Sequence, residues 1–154
     1  MVGCKKKITK EVSAEYSKHT VTTRGGSDGE KVVWVYDKID RGGKFAFDLD
    51  RSEFKHRDYL EKMINYSSMT WIDVKKQTHD KGKSKHHYLS PESMSKAAYD
   101  RMRNLPCFTE YEDSVFSFAF DNLLRVIGIR DKQFFHVVWY DAYHEVCPAS
   151  KKNT

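Results

Sequence analysis

Residues Ser114–Tyr140 read SVFSFAFDNLLRVIGIRDKQFFHVVWY. This stretch contains three runs rich in β-branched and aromatic residues, separated by two polar pairs, Asp121-Asn122 and Asp131-Lys132. The runs are 114–120, 123–130 and 133–140. Polar two-residue turns between such runs are typical of β-hairpins. The stretch therefore predicts a three-stranded antiparallel meander.

Two-residue turns also predict the register of this sheet. Phe118 would then lie opposite Arg125, and Arg125 opposite Val138, with His136 diagonal to Arg125. The face that Arg125 shares would be completed by Phe116, Phe118, Phe120, Leu123, Ile127, Ile129, Phe134, His136, Val138 and Tyr140. The other face carries the small residues Ala119 and Gly128, so we expect the helices to pack there.

Arg125 has two interpretations at this position. A mid-sheet arginine is commonly structural, and here it would stack on Phe118 and pair with a carboxylate from the N-terminal half. Alternatively, the face is partly open and Arg125 binds phosphate, while the surrounding aromatic side chains stack on bases. The pattern alone favours neither interpretation.

A polar segment, Asp141-Ala142-Tyr143-His144-Glu145, follows the third predicted strand. Histidine titrates near neutral pH, carboxylates set its tautomer, and phenols donate hydrogen bonds. His144, Tyr143 and His136 are therefore candidate catalytic residues, and Tyr140 is a candidate nucleic-acid contact. Capping and turn residues also collect at strand ends, so a purely structural explanation stays open.

The chain before the meander predicts a β-hairpin and two to three helices. Residues 31–36 and 44–47 flank turn residues and indicate an N-terminal β-hairpin. Two capping-box patterns, Asp50 with Glu53 and Thr70 with Asp73, predict a helix over 51–65 and a shorter one after it. Ser90-Pro91-Glu92 predicts the start of a third helix, which Pro106 would end. The expected fold class is α+β, with the meander packed on helices.

The size and composition of the chain favour a single domain. Its 154 residues are 39% apolar and 14% aromatic, enough for one hydrophobic core. We expect a weakly ordered basic arm over 1–29, one α+β domain over 30–148 and a tail over 149–154. The absence of a signal-peptide pattern and of an apolar run of about 20 residues favours a cytoplasmic location without membrane contact.

The loop that precedes residue 88 is basic and rich in histidine. Lys81, Lys83 and Lys85 are candidate contacts to a phosphate backbone, although an ordinary solvated loop is the alternative. The neighbouring histidines match no established metal-site spacing, and the lysines would repel a cation. The three cysteines are widely spaced and form no C-x-x-C pair. We therefore expect no metal site and no cofactor.

A helix, a three-stranded meander, an arginine in the second strand and a polar tail together resemble the RelE/ParE toxin superfamily. The matching residues are Phe116–Arg130, Phe134–Tyr140 and His144, about a third of the chain. The resemblance implies a RelE-like architecture, with Arg125 holding phosphate and His144 with Tyr143 in the catalytic tail. Ser117 and Ala119 stand where the family carries basic residues. The run 139–148 also resembles the end of small uncharacterised bacterial and phage proteins.

RelE members cleave messenger RNA in the ribosomal A site, and ParE members bind gyrase. The resemblance therefore implies an RNA-directed, toxin-like protein that acts as a ribosome-associated endoribonuclease, with RNA, the ribosome or an antitoxin as partners. The alternative is a non-catalytic nucleic-acid-binding or protein-binding inhibitor of a phage or mobile element. The sequence does not decide whether the protein is an enzyme.

Overall fold

A computed structural model describes residues 27–79 and 82–148. Its strands are β1 (Val33–Val35), β2 (His87–Tyr88), β3 (Val115–Ala119), β4 (Arg125–Asp131) and β5 (Phe134–Asp141). Its helices are α1 (His56–Ser67), α2 (Trp71–Lys76), α3 (Lys96–Met102) and α4 (Pro106–Glu110). The α+β class is confirmed. Lys81, the tail and all but the last three residues of the expected arm lie outside the described residues.

The strands form one five-stranded sheet in the order β1-β5-β4-β3-β2. Strands β3, β4 and β5 make the expected antiparallel meander, which is confirmed. The prediction of an N-terminal β-hairpin is wrong, because β1 pairs in parallel with β5, with Val35 opposite His136. The predicted second strand contributes only the bridge from Ala46 to Trp139. Phe45 and Phe47 on either side of Ala46 are buried in different core clusters.

The predicted register of β3 against β4 is wrong by one residue. Ala119, and not Phe118, lies opposite Arg125. The cause is a longer turn, in which Asp121 Oδ1 accepts hydrogen bonds from the backbone N–H groups of Leu123 and Leu124 at 2.8 and 2.6 Å. Because side chains alternate along a strand, this slip moves the β3 aromatics to the face opposite Arg125.

The register of β4 against β5 also differs from the prediction. Arg125 lies opposite Asp141, where Val138 was expected, and His136 lies opposite Ile129. An irregularity at Ile127 and Gly128 shifts the pairing within the ladder. Arg125 and His136 are thus separated by four residues of β4, roughly 13 Å at about 3.3 Å per residue. The prediction that they are diagonal neighbours is wrong.

Helices cover both faces of the sheet, so the prediction of a partly open aromatic face is wrong. On one face Phe116, Phe118 and Phe135 pack with residues of α1 and α2, and Phe118 is fully buried. On the other face Ile127 and Trp139 pack with residues of α3 and α4. The aromatic side chains of the meander therefore build cores and are not a surface for stacking bases.

The observed helix ends confirm only some of the predictions made from capping residues and prolines. The capping box of Thr70 and Asp73 is present at the start of α2 and confirms that prediction. The Asp50 box is absent, and α1 begins later, at His56, without a side-chain cap. The single helix expected from Ser90 is interrupted at Met94, whose extended backbone separates a 3₁₀ turn from α3. Pro106 does not end that helix but begins α4.

Buried ion pairs connect the segments around the sheet. Asp40 accepts two hydrogen bonds from Arg101, at 2.9 and 2.7 Å, and one from the Trp139 indole N–H at 2.8 Å. Arg130 is 1% exposed, donates to Asp28 at 2.7 Å and lies over the Trp71 ring. In the described ranges no helix combines the length and apolar character needed to cross a membrane.

Candidate functional site

The candidate site lies at the end of the sheet where β4 begins. Three adjacent strands place Ala119, Arg125 and Asp141 side by side across the sheet. The backbone N–H of Ala119 donates to His86 Nδ1 at 3.0 Å, which extends this row to the residue before β2. Arg125 and Asp141 are therefore positioned by strand pairing, and His86 by the hydrogen bond of its ring to the backbone of β3.

Arg125 provides a fixed positive charge in this row. It is 5% exposed, and its Nη1 donates to the carbonyl oxygens of Asp121 and Leu124 at 2.8 and 3.1 Å. Burial lowers the pKa of its guanidinium, and the nearby Asp141 and Asp121 carboxylates offset part of that effect. The expected stack on Phe118 is wrong, because Phe118 lies on the other face. Arg125 Nη1 is thus engaged by carbonyl oxygens of the protein itself.

His86 is a buried, neutral histidine at the end of this row of residues. Its Nδ1 accepts the Ala119 N–H, so the ring proton is on Nε2, which donates to Gln77 Oε1 at 2.7 Å. Burial lowers the pKa of His86 to about 3, and the positive charges of Lys85 and Arg125 contribute. A histidine fixed in this way serves the structure and does not exchange protons at neutral pH.

Three other histidines are more accessible than His86. Each interacts electrostatically with Arg125 or with another of the three. Burial lowers the pKa of His144, and Arg125, His87 and His79 add to the effect. Partial burial likewise lowers the pKa of the His87 ring, although the residue as a whole is exposed, and Arg125 and His79 contribute again. His79 and His87 are exposed, and His144 is half-buried. We call His79, His87 and His144, with Lys85 and Arg125, the histidine cluster.

A capped turn holds His144 at the edge of this cluster. The Asp141 carboxylate accepts the backbone N–H groups of Glu145 and Val146 at 2.9 and 2.8 Å. His144 itself has a φ of 57°, in the left-handed region. Burial raises the pKa of Asp141, although these two hydrogen bonds act in the opposite direction. The side chain of His144 is therefore carried by a locally rigid backbone.

Two lysines add positive charge here: Lys85, which belongs to the histidine cluster, and Lys83, which precedes it in the chain. Lys85 is half-buried, and burial lowers the pKa of its ammonium group, as do Lys62 and Arg125. Lys83 is exposed nearby in the chain. Of the predicted site residues, the structure thus brings Arg125, His144 and Lys85 together.

Three other predicted site residues are not members of the histidine cluster. His136 Nδ1 is 2.5 Å from Asp37 Oδ1, next to β1 and away from Arg125. Tyr140 is buried, and its hydroxyl accepts the Lys55 N–H at 3.1 Å and donates to the Glu53 carbonyl at 3.4 Å. Tyr143 is 59% exposed and borders a separate cleft. The structure therefore does not bring all of the predicted site residues together around Arg125.

Sequence reasoning did not pair His87 with His144. The sequence pattern presents His87 as one of the loop histidines weighed for a metal site and as part of a basic loop, whereas the structure places it in β2, opposite Ser117. A two-residue strand has too short a pattern to be recognised, because alternation needs about four residues to show. Within residues 27–79 and 82–148, no group of three or more histidine, cysteine, aspartate or glutamate side chains is arranged to hold a metal ion.

The chain was also compared with known proteins. Neither a family model, nor a curated protein, nor a solved structure matches it.

Proposed function

We propose that this protein binds RNA through the histidine cluster and acts on it as a toxin-like protein. The observation that carries the proposal is a convergence at one end of the sheet, where Arg125 lies between Ala119 and Asp141. His86, flanked in the chain by Lys85 and His87, is hydrogen-bonded to Ala119, and His144 lies in the turn that Asp141 caps. A concentrated positive surface attracts the phosphodiester backbone, since binding releases its counterions. Exposed Lys83 enlarges this surface.

The same cluster contains the groups that RNA cleavage requires. Attack of a 2′-hydroxyl on the adjacent phosphorus forms a cyclic phosphate and breaks the bond to the 5′ oxygen. A base must take the 2′-hydroxyl proton, and an acid must protonate the departing oxygen. We assign these tasks to His144 and His87. Lowered pKa values favour the neutral imidazole near pH 7, the form that the general base needs, so the acid step depends on the protonated fraction of the other histidine, which grows as the pH falls.

The resemblance to the RelE/ParE superfamily adds the ribosome to this proposal. If the likeness extends to function, ribosome-bound messenger RNA is the substrate and an antitoxin is the natural inhibitor. Support for this narrower statement comes from the sequence alone. The test therefore includes RNA both with and without ribosomes.

Removing the two histidines is expected to lower RNA cleavage about 100-fold or more, the usual contribution of a general acid or base. His144→Asn suits the test because asparagine tolerates the left-handed backbone at this position. His87→Gln removes the second imidazole. Cleavage of labelled RNA by purified protein, with and without ribosomes, measures the effect. His56→Gln, an exposed histidine on α1, is the control. Full activity in the double variant would contradict the assignment.

A second candidate function is binding without catalysis. The observation that favours it is the use of Arg125 Nη1 by two backbone carbonyls, which leaves that nitrogen no part in holding a reacting phosphate. Such a protein would block or carry a nucleic acid or a protein. Salt dependence separates these partners, because only a phosphate backbone gives a steep loss of affinity with added salt.

Binding to RNA is expected to weaken about tenfold when Lys83 and Lys85 are both changed to alanine, and the salt slope should fall by about 1 to 2. The control removes two positive charges at the opposite end of the sheet, with Lys31→Ala and Lys132→Asn. Asparagine is chosen there because Lys132 has a φ of 56°. Fluorescence anisotropy from low to high salt provides the measurement. Equal losses in both double variants would show that only net charge matters.

A further inference from the structure

A cleft of about 440 Å³ lies beside the histidine cluster and is not used by the proposed cleavage chemistry. Its walls come from the turn after β3, from the end of β5 with the segment after it, and from the segment before α1, with Leu123, Tyr140 and Tyr143 among them. Lys55 and Asp121 lie at the same cleft. Its volume lies within the range of small-molecule sites, which is about 300–1,000 Å³.

The cleft presents apolar surface to solvent. Tyr143 is 59% exposed and Leu123 is 52% exposed, although both border the same concavity. Large exposed apolar side chains around a concavity are typical of a binding site. An aromatic ring or another flat, weakly polar group would cover them.

The cleft and the histidine cluster are connected through one turn. Tyr143 immediately precedes His144 in the segment that Asp141 caps with its two hydrogen bonds. On the other side, Asp121 borders the cleft while its carbonyl oxygen holds Arg125. A ligand that spans both sites would therefore meet an apolar cleft next to a cationic surface.

The polar groups of the cleft suit the edge of a nucleobase. Asp121 Oδ1 is occupied by two backbone N–H groups, whereas Oδ2 makes no hydrogen bond within the described part of the chain. The amide of exposed Asn122 offers both a donor and an acceptor. A carboxylate oxygen accepts from the exocyclic amino group of a base.

We infer that this cleft binds one nucleobase of a single-stranded RNA whose phosphates lie along the histidine cluster. The inference rests on the proposed function and adds single-stranded RNA as the substrate class. The base stacks on the Tyr143 ring, Leu123 covers its other side, and Asp121 with Asn122 contacts its edge. A duplex would keep its bases stacked and could not fill the cleft.

The test compares a single-stranded RNA oligonucleotide with an abasic strand of the same length, so that phosphate contacts are held constant. The wild-type protein is expected to bind the base-bearing strand about tenfold more tightly, the usual effect of one aromatic stack. Tyr143→Ala should bind both strands with equal affinity. Leu123→Ser, on the other wall, should reduce the preference independently. Tyr99→Ala, which changes an exposed tyrosine of α3, should preserve it.

Three results would overturn the inference. Equal binding of both strands by the wild type would exclude a base in the cleft while leaving the proposed RNA binding intact. A preference that survives in both Tyr143→Ala and Leu123→Ser would place the base elsewhere. Failure of the wild type to bind either strand would refute the proposed function together with this inference.

Discussion

Gly128→Ala is expected to lower the free energy of unfolding by about 3 kcal/mol or more. A Cβ at this position would lie 2.0 Å from the carbonyl oxygen of His136, a backbone atom of β5. It would also lie 2.9 Å from the ring of Phe135. The His136 carbonyl cannot move without disturbing the pairing of β4 with β5, and the Phe135 ring is fully buried in the core.

Urea denaturation followed by circular dichroism measures this effect. Gly29→Ala is the matched control, because a Cβ there meets nothing within 4 Å. The control should change the unfolding free energy by less than about 0.5 kcal/mol, as expected at an open surface position. A Gly128→Ala variant as stable as the control would show that β4 and β5 are not packed as described.

Gly128 also shows how a correct sequence signal can receive the wrong explanation. The glycine was expected to admit a helix, and the close approach comes instead from the neighbouring strand, beside the shift in register. The sequence indicates that position 128 requires a small residue, but it does not indicate which element approaches it. Only the three-dimensional pairing supplies that neighbour.

Local signals predicted the meander and the capping box of Thr70, because each depends on residues within a few positions of one another. A strand over 31–36 was predicted and β1 lies within it, but its parallel pairing with β5 was missed for the opposite reason. Val35 pairs with His136, and nothing near either residue in the chain indicates that pairing. The register failed because the Asp121 side chain closes a longer turn than its dipeptide suggested.

The candidate site was partly predicted despite the wrong register. Arg125 begins β4 and Asp141 ends β5, so an antiparallel meander brings the first residue of one near the exit of the other. A register error of a few residues does not change this arrangement. The predicted register, although wrong, therefore still placed Arg125 and His144 in the same region. His136 lies in mid-strand, where the same slip carries it away from Arg125.

Acidification is expected to destabilise the fold through His86. The pKa of this ring is about 3 in the folded chain, against 6.5 for an ordinary histidine, because burial and nearby positive charges disfavour protonation. Between these values the unfolded chain binds the additional proton, so stability falls as pH falls. From pH 6.5 to about 4.5, where most carboxylates are still ionised, the loss from His86 is on the order of 2 kcal/mol.

His86→Asn separates this effect from that of the other titrating groups. The asparagine side chain can still accept the Ala119 N–H, but it does not titrate and loses the contact to Gln77. The variant should be less stable than the wild type near pH 7, and the difference should shrink as the pH is lowered to 4.5. His56→Asn, at an exposed site, should retain the wild-type pH dependence. Parallel curves for wild type and His86→Asn would mean that His86 accepts its proton in the folded chain, which would contradict its description as a buried, neutral histidine.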